Sequence, residues 1–213
     1  MKKINNRTVI ITTLLTLSPV IIGLLLWNKL PEQVPTHFGF DGQPDSWSSR
    51  TFAVFGLPLI LLLVHLICVK ITDIDPKGEN ITGKIYGLTL WITPVVSLFV
   101  SVITYSHALG YELNVNFAAS IMTGMMFIVI GNYLPKCRQN YTIGIKIPWT
   151  LADEDNWNRT HRMAGPLWMA GGLVIMLSGL ITGNQALVML LVLPVITLVP
   201  VLYSYHLHRQ KQS

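Results

Sequence analysis

Six apolar runs divide this sequence, and they restrict its fold more than any other feature. Each run is between 18 and 25 residues long and contains no Lys, Arg, Asp or Glu. The runs are residues 9–27, 51–69, 85–109, 117–134, 163–181 and 186–205. A helix rises about 1.5 Å per residue, so each run can cross a hydrocarbon core about 30 Å thick. We therefore predict an all-α integral membrane protein with six transmembrane helices.

The composition agrees with this fold class. Of the 213 residues, 51% are hydrophobic and only 12% are charged, whereas soluble domains carry about 25% charged residues. No polar stretch exceeds roughly thirty residues, which leaves no room for a separate soluble domain. The first run has no small-residue cleavage motif before Asn28, so we expect an anchor and not a removable signal peptide. We predict a single six-helix membrane domain over residues 1–213.

Basic residues are concentrated in alternate loops. Thirteen of the 15 Lys and Arg residues, Lys2 and Lys3 among them, lie near the chain ends or in the second and fourth loops. Only Lys29 and Arg50 lie in the other loops. Because Lys and Arg accumulate on the cytoplasmic side of short loops, we predict that both termini are cytoplasmic. This sorting and contact with anionic lipid account for the net charge of +5 without direct binding of nucleic acid.

The first loop, residues 30–50, has the composition of a structured extracellular cap. Its Pro and Gly residues impose turns, and the pair Asp41-Gly42 favours a tight reversal after residues 34–38, which can be extended. We predict a short β-hairpin on the outer face of the membrane. His37, Asp41 and Asp45 are suitable metal ligands by type. Their spacing is typical of no metal site, so no metal is predicted.

The fourth loop, residues 134–162, is the longest loop and carries five basic residues. β-branched residues around Gly144 favour a short extended turn over a helix. Thr150 precedes an acidic run, as a helix N-cap does. We therefore predict a structured cytoplasmic loop in which a helix starts at Leu151 and continues into the fifth span.

Four residues of that predicted helix share one face: Trp157, His161, Ala164 and Trp168. We expect this face to pack on the mouth of the helix bundle. A Trp-x-x-x-His pair can belong to a catalytic site, but a lone His among aromatic residues is usually packed and hydrogen-bonded, and no second His or Cys completes a set of metal ligands. The sequence therefore predicts no catalytic residues and no cofactor.

The apolar runs contain few groups that titrate near neutral pH. These are His65 and His107, and no carboxylate lies in a run to pair with either of them. Pumps and ion-coupled transporters usually have buried ionisable groups in their spans, so their scarcity argues against ion translocation. A small-molecule or lipid transporter and a membrane enzyme of unknown substrate remain alternatives.

Two segments carry a resemblance to a known family. The first loop reads Leu-Pro-x-x-Val-Pro-x-His-Phe-Gly-x-Asp-Gly-x-Pro-Asp-x-Trp. It resembles a short domain that follows the first helix in many bacterial membrane proteins, including the SdpI family of immunity proteins. The fourth loop is similar to the SdpI-family signature, in which an Arg often stands at the place of Lys146. The matching residues are Gly131-Asn132, Pro135, Asn140, Ile143-Gly144-Ile145-Lys146, Pro148-Trp149-Thr150-Leu151, Trp157, Thr160-His161-Arg162 and Gly165.

The resemblance implies a multi-pass protein of the bacterial plasma membrane that protects its cell from a secreted toxic peptide. Some members of the family are also receptors that hold a small cytosolic autorepressor at the membrane, and the resemblance implies that this chain can have the same role. The candidates for toxin recognition are Pro35, His37, Phe38, Gly39, Asp41, Gly42 and Trp47. The candidates for cytoplasmic docking are Asn132, Pro135, Asn140, Gly144, Lys146, Pro148, Trp149, Thr150, Trp157, Arg159, His161, Arg162 and Gly165. Membrane lipid is the other expected partner.

Overall fold

A computed structural model describes residues 6–181 and 185–212. Lys2 and Lys3, which contribute to the predicted charge asymmetry, lie outside the described residues. The elements in chain order are α1 (Asn6–Leu25), β1 (Gln33–Phe38), β2 (Pro44–Ser49), α2 (Leu57–Asp73), α3 (Gly83–Ala108), α4 (Val115–Tyr133), α5 (Pro148–Ala152), α6 (Glu154–Ile181) and α7 (Gln185–Gln210). A π-helical turn, Phe52–Gly56, leads into α2, and short 3-10 turns cover Gly78–Asn80 and Leu134–Lys136.

Within the described residues, six helices are long and apolar enough to cross a membrane. They are α1, α2 with its π-helical turn, α3, α4 with the 3-10 turn that follows it, α6 and α7. The prediction of a helical membrane protein with six spans is confirmed. The α6 helix starts well before its apolar run. The prediction that a helix of the fourth loop continues into the fifth span is therefore also correct.

The first loop forms the β-hairpin that the Asp41-Gly42 pair indicated. The strands β1 and β2 are antiparallel, with Phe38 opposite Pro44. Gly42 has a φ of 77°, a conformation that Gly adopts without a Cβ clash. The Asp41 carboxylate accepts a hydrogen bond from the backbone N–H of Gln43 at 3.0 Å, which fixes the reversal between the strands.

The chain folds as two compact units. The first unit contains α1, the hairpin and α2 as far as Ile74, and then residues 86–115. The second contains residues 75–85, which include most of the second loop and the start of α3, and the chain from Asn116 onward. Each of the two structured loops therefore belongs to a different unit.

A seam of hydroxyl groups joins α1 to α3 in the first unit. Ser97 donates a hydrogen bond to the carbonyl oxygen of Thr16 at 2.8 Å, and the Tyr105 hydroxyl donates to that of Pro19 at 3.2 Å. Such hydrogen bonds hold helices together where no water is present. Both hydroxyls belong to α3 and donate to carbonyl oxygens of α1, so the seam joins the two helices.

In the second unit, α4 and α6 approach each other through paired glycines. A Cβ at Gly131 would lie 2.7 Å from the carbonyl oxygen of Gly165, and one at Gly124 would lie 2.5 Å from that of Gly172. Small residues allow this close approach of two backbones. The pairing fixes the ends of the two helices between which the fourth loop runs.

Candidate functional site

The side chain of His161 lies at the centre of the fourth loop. Its Nδ1 is 2.8 Å from the carbonyl oxygen of Trp157, and its Nε2 is 2.9 Å from the backbone nitrogen of Ile145. A carbonyl can only accept and a backbone N–H can only donate, so Nδ1 carries the ring proton and Nε2 accepts. The ring is therefore neutral with both nitrogens bonded, which suits a side chain that is 1% exposed.

Gly144 leaves no room for a side chain beside this histidine. Its φ is +130°, and a Cβ there would lie 2.5 Å from Nε2 of His161 and 2.9 Å from ring carbons of Trp157. The rings of Trp157 and His161 are stacked, with centroids 4.1 Å apart and 20° between their planes. The loop backbone thus lies directly against the two rings, which requires glycine at this position.

Asn140 and Trp157 satisfy polar groups of the loop backbone. The Asn140 side-chain oxygen accepts from the N–H groups of Thr142 and Ile143 at 2.9 and 2.7 Å. Its Nδ2 donates to the carbonyl oxygen of Ile143 at 3.0 Å. The indole Nε1 of Trp157 donates to the carbonyl oxygen of Cys137 at 2.8 Å. Both side chains are buried, and their hydrogen bonds replace those that water would make.

Residues of the second loop hold the fourth loop in place, although no local sequence pattern indicates these contacts. The Asp75 carboxylate accepts from the N–H of Tyr141 at 2.9 Å and from the hydroxyl of Thr142 at 2.6 Å. Lys77 donates to the side-chain oxygen of Gln139. Hydrogen bonds to a charged group are about twice as strong as neutral ones, so the buried carboxylate is a firm anchor.

The predicted start of a helix at Leu151 is wrong. Thr150 lies inside the short helix α5, and α6 begins after it. The Thr150 hydroxyl donates to the carbonyl oxygen of Ile145 at 2.8 Å, so it stabilises the preceding turn. Asp153 caps α6 instead, because its carboxylate accepts from the N–H of Asp155 at 3.0 Å. The cap is the first residue of the acidic run itself.

The end of α7 is attached to the same region. Asn156 donates to the carbonyl oxygen of Ser204 at 2.9 Å and accepts from its hydroxyl at 2.5 Å. Lys211 donates to the Asp153 carboxylate at 2.6 Å. This hydrogen bond lowers the pKa of Asp153 and raises the pKa of Lys211. The fourth loop is therefore held from the second loop and from the last helix.

The predicted docking residues separate into a buried set and an exposed set. Most of the buried residues make the internal contacts described above. The remaining one, Gly165, allows the close approach of α4. The buried residues are Asn140, Thr150, Trp157, His161 and Gly165. Gly144 and Trp149 are half-buried, and the Trp149 ring stacks on His208 with centroids 6.0 Å apart. The exposed residues, called the exposed set below, are Asn132, Pro135, Lys146, Pro148, Arg159 and Arg162.

The predicted recognition residues lie along both strands and the turn of the hairpin. His37 and Asp45 are joined by a hydrogen bond, with 2.5 Å between Nδ1 and the carboxylate oxygen. The Phe38 ring packs on that of His107, with centroids 4.9 Å apart. Pro35 is buried, Gly39 is half-buried and Trp47 is 54% exposed. Among the described residues, no three His, Cys, Asp or Glu side chains lie close enough to share a metal ion.

A cavity of about 330 Å³ opens between the hairpin turn and the connection that follows α3. It is lined by Asp41, Gly42 and Gln43 on one side and by Glu112 and residues 113–115 on the other. Two carboxylates and no Lys or Arg in the lining give the cavity a negative potential. Of the predicted recognition residues, Asp41 and Gly42 line it, whereas Phe38 and Trp47 lie elsewhere on the hairpin.

Both structured loops lie in segments that match known protein-family models. Residues 136–204 match the model of the SdpI/YfhL protein family, and residues 14–62 match a domain of unknown function (DUF1648). The resemblance to the SdpI family is confirmed. The SdpI segment, residues 136–204, contains most of the fourth loop, all of α6 and most of α7. Asp75 and Lys77 lie outside it, so contacts that hold this segment come from beyond the matched residues.

Two relatives extend the comparison. The immunity protein SdpI of Bacillus subtilis (strain 168) is 26% identical over 206 residues, which cover 94% of this chain and 96% of that protein. An uncharacterized protein of Archaeoglobus fulgidus is 34% identical over 107 residues, which cover 42% of this chain and 57% of that protein. No solved structure matches the chain. The similarity to SdpI thus extends over both structured loops and all six spans.

Proposed function

We propose that this protein protects the cell that makes it against a secreted toxic peptide. The observation that carries the proposal is the similarity to an immunity protein over 94% of the chain. The test is to delete the gene and to expose the cells to peptides secreted by the same organism, beginning with any encoded beside the gene. The deletion strain should be killed by one of them, and the restored gene should rescue it. Equal survival of deletion and parent strains with every such peptide would contradict immunity.

The proposed location is a bacterial plasma membrane, with both termini in the cytoplasm. Thirteen of the 15 basic residues support this orientation, because the positive loops of a multi-pass protein remain in the cytoplasm. The hairpin then faces the exterior, where a secreted peptide arrives. The fourth loop then faces the cytosol.

The hairpin and its cavity are the proposed recognition site for the peptide. The carboxylates of Asp41 and Glu112 favour a cationic group, such as a Lys or Arg side chain or a free amino terminus. Phe40 and Trp47 are 89% and 54% exposed, and they offer apolar surface on the same hairpin. Aromatic residues of this kind carry much of the binding energy at protein interfaces.

Substitutions in the hairpin test this site. Asp41→Asn, Glu112→Gln and Trp47→Ala should each lower survival in the presence of the peptide while the protein accumulates normally in the membrane. Glu32→Gln is the matched control, because Glu32 is also exposed but does not line the cavity. Full protection by all three variants at normal abundance would mean that the hairpin is not the recognition site. It would not contradict the immunity function.

The exposed set of the fourth loop is the proposed docking surface for a small cytosolic protein. Lys146, Arg159 and Arg162 are exposed cations on a loop whose buried residues make hydrogen bonds internally. Arg159 has one carboxylate within reach, that of Asp155 at 3.9 Å, a distance at which an exposed pair contributes little. These side chains can therefore contact a partner without a rearrangement of the loop.

Charge reversal distinguishes docking from simple attraction to lipid. Lys146→Glu, Arg159→Glu and Arg162→Glu should abolish recruitment of the cytosolic partner and leave peptide resistance largely intact. If the cations only attract anionic lipid, each reversal costs about 2 kcal/mol of surface attraction, because it removes one attractive charge and adds a repulsive one, and the effect is similar at the three sites. Recruitment and survival are measured in the same variants. Loss of both in every variant would mean that the cations stabilise the loop and that no separate docking role exists.

A further inference from the structure

The ring of His65 is fully buried in the first unit, where α2 packs on α1. Its Nε2 lies 3.2 Å from the hydroxyl oxygen of Thr12. Its Nδ1 makes no hydrogen bond with the described part of the chain. Buried polar atoms nearly always have a partner, either in the protein or in ordered water. One nitrogen of this ring therefore needs a hydrogen-bond partner that the described residues do not supply.

The contacts of Thr12 determine what kind of partner Nδ1 needs. The Thr12 hydroxyl has one proton, and the carbonyl oxygens of Thr8 at 2.9 Å and Val9 at 3.1 Å lie closer to it than His65 does. When that proton goes to the backbone, the oxygen of Thr12 can only accept from Nε2 of His65. Nε2 then carries the ring proton, and Nδ1 is an acceptor that needs a donor.

The neighbouring hydroxyls of the seam cannot supply that donor. Thr16 donates to the carbonyl oxygen of Thr12 at 2.8 Å, and Ser97 and Ser101 donate to the carbonyl oxygens of Thr16 and Ser97, each at 2.8 Å. Nor is a charged donor suitable, because no Asp, Glu, Lys or Arg is buried in the described part of the first unit. An ammonium group placed there would have no counter-ion and would be very costly to desolvate.

We propose that Nδ1 of His65 binds one water molecule inside the membrane-embedded part of the first unit. Water is neutral, so it can donate a hydrogen bond to Nδ1 without needing a counter-ion. Buried waters typically make about three hydrogen bonds to polar groups that lack protein partners. The site differs in kind from His161, whose two nitrogens are both bonded to backbone atoms.

The test is nuclear magnetic resonance of the full chain in lipid nanodiscs, with ¹⁵N-labelled histidine and ring signals assigned through single His→Gln variants. His65 should have its proton on Nε2 and should show magnetisation transfer from water to its ring protons. His161 is the internal control, with its proton on Nδ1 and no transfer from water. Absence of transfer at His65, or a proton on its Nδ1, would overturn the proposal.

A second variant separates Nδ1 from the hydroxyl of Thr12. Thr12→Val keeps the His65 ring and removes the group that Nε2 contacts. Transfer from water to the ring of His65 should persist in this variant, because the water is bound at the other nitrogen. Its loss would show that the hydroxyl, and not Nδ1, holds the water, and would overturn the assignment.

Discussion

Gly144 and His161 fix each other's position, since a Cβ added to residue 144 would lie 2.5 Å from the imidazole nitrogen that accepts the N–H of Ile145. The ring can occupy this place only while residue 144 lacks a side chain. The hydrogen bond and the close approach are therefore two aspects of one contact. A single methyl group is enough to separate the loop from the helix beneath it.

Gly144→Ala should destabilise the second unit by about 1–3 kcal/mol, because a backbone conformation reserved for Gly costs about that much with a side chain present. The clash with His161 adds to this cost. Thermal unfolding of the purified protein in detergent measures the change. Gly87→Ala is the matched control, because a Cβ there meets nothing within 4 Å and Ala favours a helix over Gly. Equal melting temperatures for the two variants would contradict this account.

Asp75→Ala should loosen the fourth loop by removing the acceptor for Tyr141 and Thr142. A buried donor left without its partner costs about 1–3 kcal/mol. Limited digestion with trypsin should then cut faster after Lys146 than in the unaltered protein. Asp73→Ala removes an equal charge from an exposed position and should leave the cutting rate unchanged. Similar rates for the two variants would mean that Asp75 does not anchor the loop.

The thiol of Cys137 should be unreactive in the folded protein. Burial raises the pKa of Cys137 to about 11 from 9.0, and the thiolate is the reactive form. At pH 8 its fraction is then lower by about a hundredfold, since each pKa unit is a factor of ten. Maleimide labelling in a Cys68→Ser background should be slow until the protein is unfolded. Rapid labelling of the native protein would contradict the buried position.

Single cysteines should reveal the orientation of the chain. Positions Gln43 and Asn114 should react with a membrane-impermeant thiol reagent in intact cells, and positions Glu79 and Asn158 should not. All four residues are exposed, so a missing reaction cannot be caused by burial. Labelling of the Asn158 position from outside would reverse the proposed orientation and withdraw the cytosolic docking surface.

The ion pair of Asp153 and Lys211 should make a small contribution to stability that depends on pH. The hydrogen bond from Lys211 lowers the pKa of Asp153 in the folded protein. The stabilisation is therefore present above the ordinary pKa of Asp, about 3.9, and is lost as the pH falls through the lower, folded value. Lys211→Ala should lower the melting temperature slightly at pH 7. It should have no effect at a pH below the folded pKa of Asp153, where the carboxylate is protonated. Arg209→Ala is the control, and an equal effect of the two variants at pH 7 would exclude the specific pair.

The features that sequence reasoning predicted depend on neighbours along the chain. The spans follow from the lengths of apolar runs, and the hairpin follows from the Asp41-Gly42 pair. The shared face of Trp157 and His161 follows from helical spacing, and both residues are buried as expected. In each case the residues that determine the structure lie within about twenty positions of one another, so a short stretch of sequence is enough to predict it.

Features that depend on distant contacts were missed. No local pattern marks Asp75 as an anchor, yet its carboxylate accepts from a backbone N–H 66 residues away. Thr150 has the residue type of an N-cap, but its hydroxyl bonds backward to Ile145 and leaves the cap to Asp153. One local pattern is consistent with the hydroxyl seam, namely the spacing of four residues between Ser97 and Ser101. The same spacing also fits a Ser that bonds only to the backbone of its own helix, so it does not predict a contact between helices.

The pairing of Asn156 with Ser204 has a consequence for the order in which the protein is made. The two residues are 48 positions apart, and Ser204 is near the end of the last helix. While the chain is being synthesised, Nδ2 of Asn156 lacks its acceptor on Ser204 until that helix has left the ribosome and entered the membrane. The contacts between the fourth loop and α7, beside the site proposed to meet a cytosolic partner, therefore form only after α7 has been made.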